Sequence, residues 1–157
     1  LDKIKKIPRE KKKFKNHNKK TTSIVVKERY KSIVVRTEDI IYLSSKKGLI
    51  HIVTTSKTYY HYDSLNNFEK ILDRNFFVRT NRNCICNLKY LSSISDLGNN
   101  KFSILLDKNN LLPYRITIKR GIKYRLIDKL NKNKLPFDYI GMASNFVNST
   151  HLLLNRA

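Results

Sequence analysis

Two β-branched runs near the start of the chain, SIVVKER and SIVVR, stand on either side of Tyr30-Lys31 and set the terms for its fold. Val and Ile carry two heavy atoms on Cβ, which stiffens χ1 and favours a pleated surface over a helix. Two such runs around a short break read as a β-hairpin. The same character continues. Residues 38–43 lead into a turn-like stretch at 44–48, and 49–55 and 57–62 read as the next two strands. Ser64 is placed to cap a short helix with Leu65, Phe68, Ile71 and Leu72 on one face. Residues 76–81 read as a strand, and apolar character resumes at Cys84 and runs through Leu88, Leu91 and Ile94.

The second half follows the same logic. Leu97-Gly98-Asn99-Asn100 is a strong turn signal before FSILL, and 107–110 is another before LLPYRI. Pro113 demotes that last segment to an edge or irregular strand. Thr117 is placed to cap a final helix, with Ile118, Ile122, Leu126, Ile127 and Leu130 at core spacing. Lys119, Arg120, Lys123 and Arg125 fall on its other faces. Gly121 costs about 1 kcal/mol in a helix interior, which favours a later helix start. The expected class is mainly β, with one short internal helix and a C-terminal helix.

At 157 residues the chain has room for one ordinary domain and little more. Residues 1–20 are lysine-rich with few apolar anchors and read as a basic flexible arm or linker. Residues 21–130 form the domain. Residues 131–157 are an extension of unknown role: they close the domain, mediate a dimer contact, or do neither. Leu1 in place of Met fits either a fragment or an unconventional start codon read literally.

Charge narrows the function. Thirty-three Lys and Arg face twelve Asp and Glu, a formal +21. Codon bias in an AT-rich genome raises Lys, Asn and Ile but does not suppress acids this far. Such a field attracts polyanions, and neutralising phosphates with counterion release is its usual use. No apolar run approaches the roughly 20 residues that span a bilayer, and the basic N-terminal stretch lacks the apolar core of a secretory signal. The expected compartment is the cytoplasm.

Catalytic readings fare poorly. The four glycines are not clustered into a phosphate loop, and the acids are scattered, with only Glu38-Asp39 adjacent. His51 and His61 lie on neighbouring predicted strands, placed to face each other, yet no ordered acid or nucleophile joins them; they read as surface or packing histidines. Cys84 and Cys86 sit two apart on one strand, a poor geometry for a disulfide and too few ligands for zinc, so both read as buried, reduced core residues. An enzyme is not expected, nor any cofactor or metal.

The segment FVRTNRNCICN is different in kind. It sets Arg79, Asn81, Arg82 and Asn83 between two core-like pieces. Arg suits guanine O6/N7 and Asn suits adenine N6/N7, each bidentate in the major groove, while surrounding lysines fix register on phosphates. In an extended segment Arg79 and Asn81 share one side and Thr80 and Arg82 the other. Arg82 is therefore the expected reader and Arg79 a structural residue, paired with an acid or a backbone carbonyl. For Asn83 the alternative is to cap a short turn. For Lys46 and Lys47 it is a solvated hairpin tip.

The order EDIIYLSS, SLNNFEKIL, FFVRTNRNCICNLKYLSSI and NNLLPYRITIKRGI resembles the LytTR DNA-binding domain, the output module of many bacterial response regulators. Phe77, Arg79, Arg82, Asn87 and Ile94 stand where its central Phe-x-Arg-x-His-Arg-Ser motif places them, and Leu112-Pro113 stand at its last block. The resemblance covers residues 22–128. It implies an elongated fold of antiparallel sheets whose loops enter successive major grooves of bent promoter DNA, on direct repeats and with self-association on the DNA. It also implies a groove contact at Arg82, flanked by Asn81 and Asn83, which replace the family's His and Ser. Lys46 and Lys47 match the first DNA-facing loop. Arg115, Thr117, Lys119 and Arg120 match the last contact region, where Arg115-Ile116-Thr117 departs from Ser-Arg-Arg. The family's usual receiver domain is not in this sequence, so the chain reads as a stand-alone regulator or an output fragment.

Three function classes remain: a sequence-specific transcriptional regulator, a general RNA- or DNA-binding protein, and a basic module that binds an acidic protein or a membrane surface.

Overall fold

A computed structural model describes residues 20–106 and 114–141. The basic arm through residue 19, the turn at 107–110, Leu112-Pro113 and the tail from residue 142 lie outside the described residues.

Strands β1 (Ser23–Glu28) and β2 (Lys31–Arg36) pair as the expected antiparallel hairpin. Glu28 sits opposite Lys31, so the turn residues are Arg29 and Tyr30, one place earlier than the sequence break implied. Ile24, Val26 and Val35 point to the core while Val25 and Val34 point away, the period of two that a half-buried hairpin requires.

A short 3-10 turn leads into β3 (Ile40–Lys46), β4 (Leu49–Thr54) and β5 (Thr58–His61). Helix α1 (Leu65–Ile71) follows, then β6 (Phe77–Asn81) and β7 (Cys84–Asn87). The five strands form one antiparallel sheet in the order β5-β4-β3-β7-β6. Ser64 caps α1 as expected, its hydroxyl accepting the Asn67 N–H at 3.2 Å. Leu65, Phe68 and Leu72 are buried, but Ile71 is 43% exposed. The helix ends at Ile71, and Leu72 turns extended and takes the core position instead.

Strands β8 (Leu91–Gly98), β9 (Lys101–Leu106) and β10 (Tyr114–Lys119) precede α2 (Arg120–Lys132) and a short β11 (Asp138–Ile140). Their sheet runs β10-β9-β8-β11, with β11 parallel to β8. As Pro113 implied, β10 is an edge strand. Two expectations for α2 are corrected. Thr117 does not cap it: the β10–β9 ladder continues through Lys119, which pairs with Lys101, and the helix starts at Arg120. Gly121 therefore sits in the first turn, where its cost is smaller. Lys123 does not face water but is 8% exposed. Its apolar stem is buried and its ammonium lies 4.1 Å from the Phe102 ring centroid and 4.5 Å from that of Tyr124.

Two cores meet at β7. Ile85 packs with α1, the β1–β2 hairpin and the β3–β4 pair, whereas Cys84 and Cys86 pack with β8, β9, β10, α2 and Phe137. A strand covered on both faces has no polar side to show, which accounts for the unbroken apolar run Cys84-Ile85-Cys86. Asn87 is buried and satisfied, donating to the Ile40 carbonyl at 2.9 Å and accepting the Lys89 N–H at 3.0 Å. Tyr42 of β3 stacks on Tyr114 of β10, centroids 4.0 Å apart, and so fixes the edge of one sheet against the other.

Candidate nucleic-acid interface

Two tight turns close the same end of the five-stranded sheet. Lys46 pairs with Leu49, which leaves Lys47 and Gly48 as a two-residue turn at φ 49° and 77°. Both residues are left-handed, as the twist of a two-residue hairpin demands. Asn81 pairs with Cys84, leaving Arg82 and Asn83 as the second turn. Just before it the register slips between Arg79 and Asn81, so Thr80 is an extra residue, buried and donating its hydroxyl to the Cys84 carbonyl at 3.3 Å. The Asn81 side chain accepts the Asn83 N–H at 2.8 Å and so closes the turn. That local job, the alternative reading for Asn83, falls to Asn81. Ser45 then donates its N–H to the Asn83 carbonyl at 2.9 Å and binds the two turns together.

Lys46, Lys47, Asn81, Arg82 and Asn83 are thus gathered at one sheet end, all exposed. Arg79 is not among the outward groups. Its guanidinium turns back to donate to the Asn81 carbonyl at 3.0 Å and the Arg82 carbonyl at 2.5 Å. It also reaches Asn66 Oδ1 at 3.1 Å and Glu69 Oε2 at 3.2 Å on α1. Arg79 thus has the carbonyl and acid partners expected of a structural residue. Arg82 is exposed in the turn, while Thr80, expected on the same side as Arg82, is buried instead.

The last candidates occupy a separate place. Arg115, Thr117 and Lys119 form one exposed row on β10, with Ile116 and Ile118 buried between them. Arg120 is the first residue of α2. The Arg115 end lies next to the stacked Tyr114, hence beside the five-stranded sheet, while Lys119 is about 13 Å further along the strand. The structure also exposes Lys101, directly opposite Lys119 across the β9–β10 ladder. Like charges facing each other are unfavourable unless an anion sits near them. Sequence reasoning passed over Lys101 because only the strand register brings it to Lys119.

Within the described residues the candidate cations lack carboxylate partners, a condition they share with other cations such as Lys27, Lys70 and Arg125. Among the described residues Lys20, Arg36, Lys57, Arg79 and Lys132 have carboxylate partners, whereas Lys46, Lys47, Arg82, Lys101, Arg115, Lys119 and Arg120 have none. Glu69 is engaged by Arg79. Burial pushes the Cys84 thiol up to about 11, against the opposing pull of Thr80, Arg79 and Lys46. Burial also raises Cys86 well above the ordinary thiol value. Neither cysteine has the low-pKa character of a reactive thiolate.

His51 and His61 do not face each other. His51 pairs with Tyr60 and His61 with Ile50, so the two imidazoles lie on opposite faces of the sheet. His51 meets Tyr60 edge-on and His61 packs on Phe68. No group of three or more His, Cys, Asp or Glu among the described residues is placed to hold a metal ion, and none of the described helices is long and apolar enough to cross a membrane.

Comparison with known proteins agrees with this geometry. The family profile of the LytTr DNA-binding domain matches residues 30–123, inside the span of 22–128 over which the sequence showed its resemblance. The chain is 26% identical over 91 residues to the sensory transduction protein LytT of Bacillus anthracis, covering 58% of this chain and 37% of that protein. It is 24% identical over 109 residues to the sensory transduction protein LytR of Staphylococcus haemolyticus, covering 69% and 43%. The chain thus spans less than half the length of these relatives. A solved LytTr DNA-binding domain from Bacillus cereus superposes with a TM-score of 0.60 at 21% identity, covering 70% of this chain and 97% of that one, a likeness of fold.

Proposed function

This chain belongs to the LytTr DNA-binding domain family, and from that premise we propose that it is a sequence-specific transcriptional regulator whose turns read successive major grooves. The observation that carries the reading is the joining of two turns by the Ser45–Asn83 hydrogen bond. It puts Arg82, a planar donor fork with no carboxylate partner among the described residues, beside Lys46 and Lys47, two point charges that likewise have none there. Guanidinium suits bidentate contact with a guanine edge, and ammonium groups suit phosphates. Asn81 and Asn83 border the same turn. The row Arg115, Thr117 and Lys119, with Arg120, supplies a second contact region along the duplex.

Binding, not catalysis, is the proposed activity. The partner is double-stranded promoter DNA, with direct repeats occupied by two copies that associate on the DNA, in the cytoplasm. Residues 1–20 add phosphate contacts, and 21–130 form the reading domain. The relatives are named sensory transduction proteins, and control of this chain by an upstream signal is part of the same proposal.

A gel shift against the gene's own upstream region, with scrambled competitor at two salt concentrations, tests the reading. Preference for the upstream duplex at both salts supports it. Equal binding to both duplexes identifies a general nucleic-acid binder, the class that a net charge of +21 alone would favour. No binding at moderate salt points to an acidic protein or membrane surface.

A further inference from the structure

We infer that Arg79 is a positioning residue that holds the reading turn in its DNA-competent shape and anchors it to α1; the inference rests on the function proposed above. Beyond the Asn81 side chain and the Ser45 N–H, which both bond Asn83, a two-residue turn that follows a bulge has little to orient its other peptides. Its ladder is interrupted at Thr80, and its residues are exposed. Arg79 supplies what the ladder lacks. Its Nε and Nη2 donate to the two successive carbonyls of Asn81 and Arg82, at 3.0 and 2.5 Å, so both peptide planes are oriented by one rigid cation. Its Nη1 is shared by Asn66 and Glu69, which face it from α1. Charge-assisted donors in a planar fork fix direction as well as distance.

The carbonyl of the next residue, Asn83, accepts from Ser45. Three consecutive carbonyls, at residues 81, 82 and 83, are therefore committed to protein donors. A direct phosphate contact by Arg79 has only one guanidinium N–H, on Nη2, left to make it. Lysine is a poor substitute, because an ammonium cannot reach two adjacent carbonyls and two side chains in one plane.

The test uses the full 157-residue chain and the variants R79M, R82A and their double mutant. In the free protein, amide exchange at Ser45 and Asn83 should accelerate about ten-fold in R79M, the loss of roughly one hydrogen bond to a charged group, while β8 and β9 amides stay unchanged. Unaltered exchange at both sites overturns the inference without any DNA present. On the upstream duplex, R79M should lower the specific-to-scrambled affinity ratio as R82A does, and the double mutant should lower it no further. An additive loss with a salt slope reduced by about 0.9 would make Arg79 a phosphate contact and overturn the positioning role. If R82A leaves the ratio unchanged, base reading by Arg82 is what fails, and the exchange measurement still decides what Arg79 holds. Should R79M not fold, the double variant Asn66→Ala/Glu69→Gln frees the outer side of the guanidinium alone. It should lower the ratio about two- to five-fold, and no change there contradicts the anchoring to α1.

Discussion

The backbone N–H of Ser45 donates to the carbonyl of Asn83 at 2.9 Å, which ties the end of β3 to the turn that precedes β7. Through that bond the Lys46-Lys47 tip inherits the position of the Arg82 tip. A change that displaces one turn should be felt at the other.

Removing charge at Lys47 tests the phosphate role without disturbing the turn. Lys47 has φ 49°, a conformation that Gly adopts freely, so K47G should leave the hairpin intact. We expect weaker binding to every duplex and a salt slope shallower by about 0.9, measured as log affinity against log salt. Loss confined to the upstream duplex would make Lys47 a base reader instead.

Lys101 should behave like Lys119, its partner across the ladder. If both meet phosphates, K101A and K119A each reduce the salt slope. If the pair is merely solvated, either substitution relieves repulsion and raises stability by a few tenths of a kcal/mol with no change in binding. Titrations and melting curves on the same samples separate the two.

The Tyr42–Tyr114 stack holds the β10 row against the five-stranded sheet. A double-mutant cycle on Y42A and Y114A should show a coupling of about 0.5–1.5 kcal/mol in denaturant unfolding. Zero coupling would mean that the rings are adjacent without supporting each other.

Stability should fall in alkali. Burial raises the Cys84 thiol from 9.0 to about 11 and the Tyr42 hydroxyl from 10.0 to about 12. The folded state therefore keeps protons that the unfolded chain has already released. Stability is complete below pH 9 and is lost as pH rises through 11 and towards 12. Denaturant midpoints measured across that range should decline, and C84A should make the decline between pH 9 and 11 shallower, with the buried Cys86 thiol sustaining the rest. A midpoint that stays level to pH 11 contradicts the burial account.

Much of this was legible because short-range rules decided it. The β1–β2 hairpin follows from β-branched runs and the α1 cap from Ser64. The strand period that set Thr80 beside Arg82, by contrast, breaks at the bulge, and Arg82 points outward because it lies in the turn. What escaped depended on register or on distant contacts. The Lys101–Lys119 opposition needs the β9–β10 register, and the bulge at Thr80 needs the β6–β7 one. Thr117 looked like a cap because capping is local, yet the ladder with β9 overrode it. Lys123 looked solvated because no local pattern announces Phe102 and Tyr124 around an ammonium. His51 and His61 looked opposed until a one-residue offset put them on opposite faces.

The central claim is that Arg82 reads a base while its neighbours hold the backbone. The direct measurement is the affinity of wild type and R82A for the upstream duplex and for a scrambled one, at two salt concentrations. The account predicts a loss of about 1–3 kcal/mol on the upstream duplex and nearly none on the scrambled one. An equal loss on both duplexes would contradict it and make Arg82 one more phosphate contact.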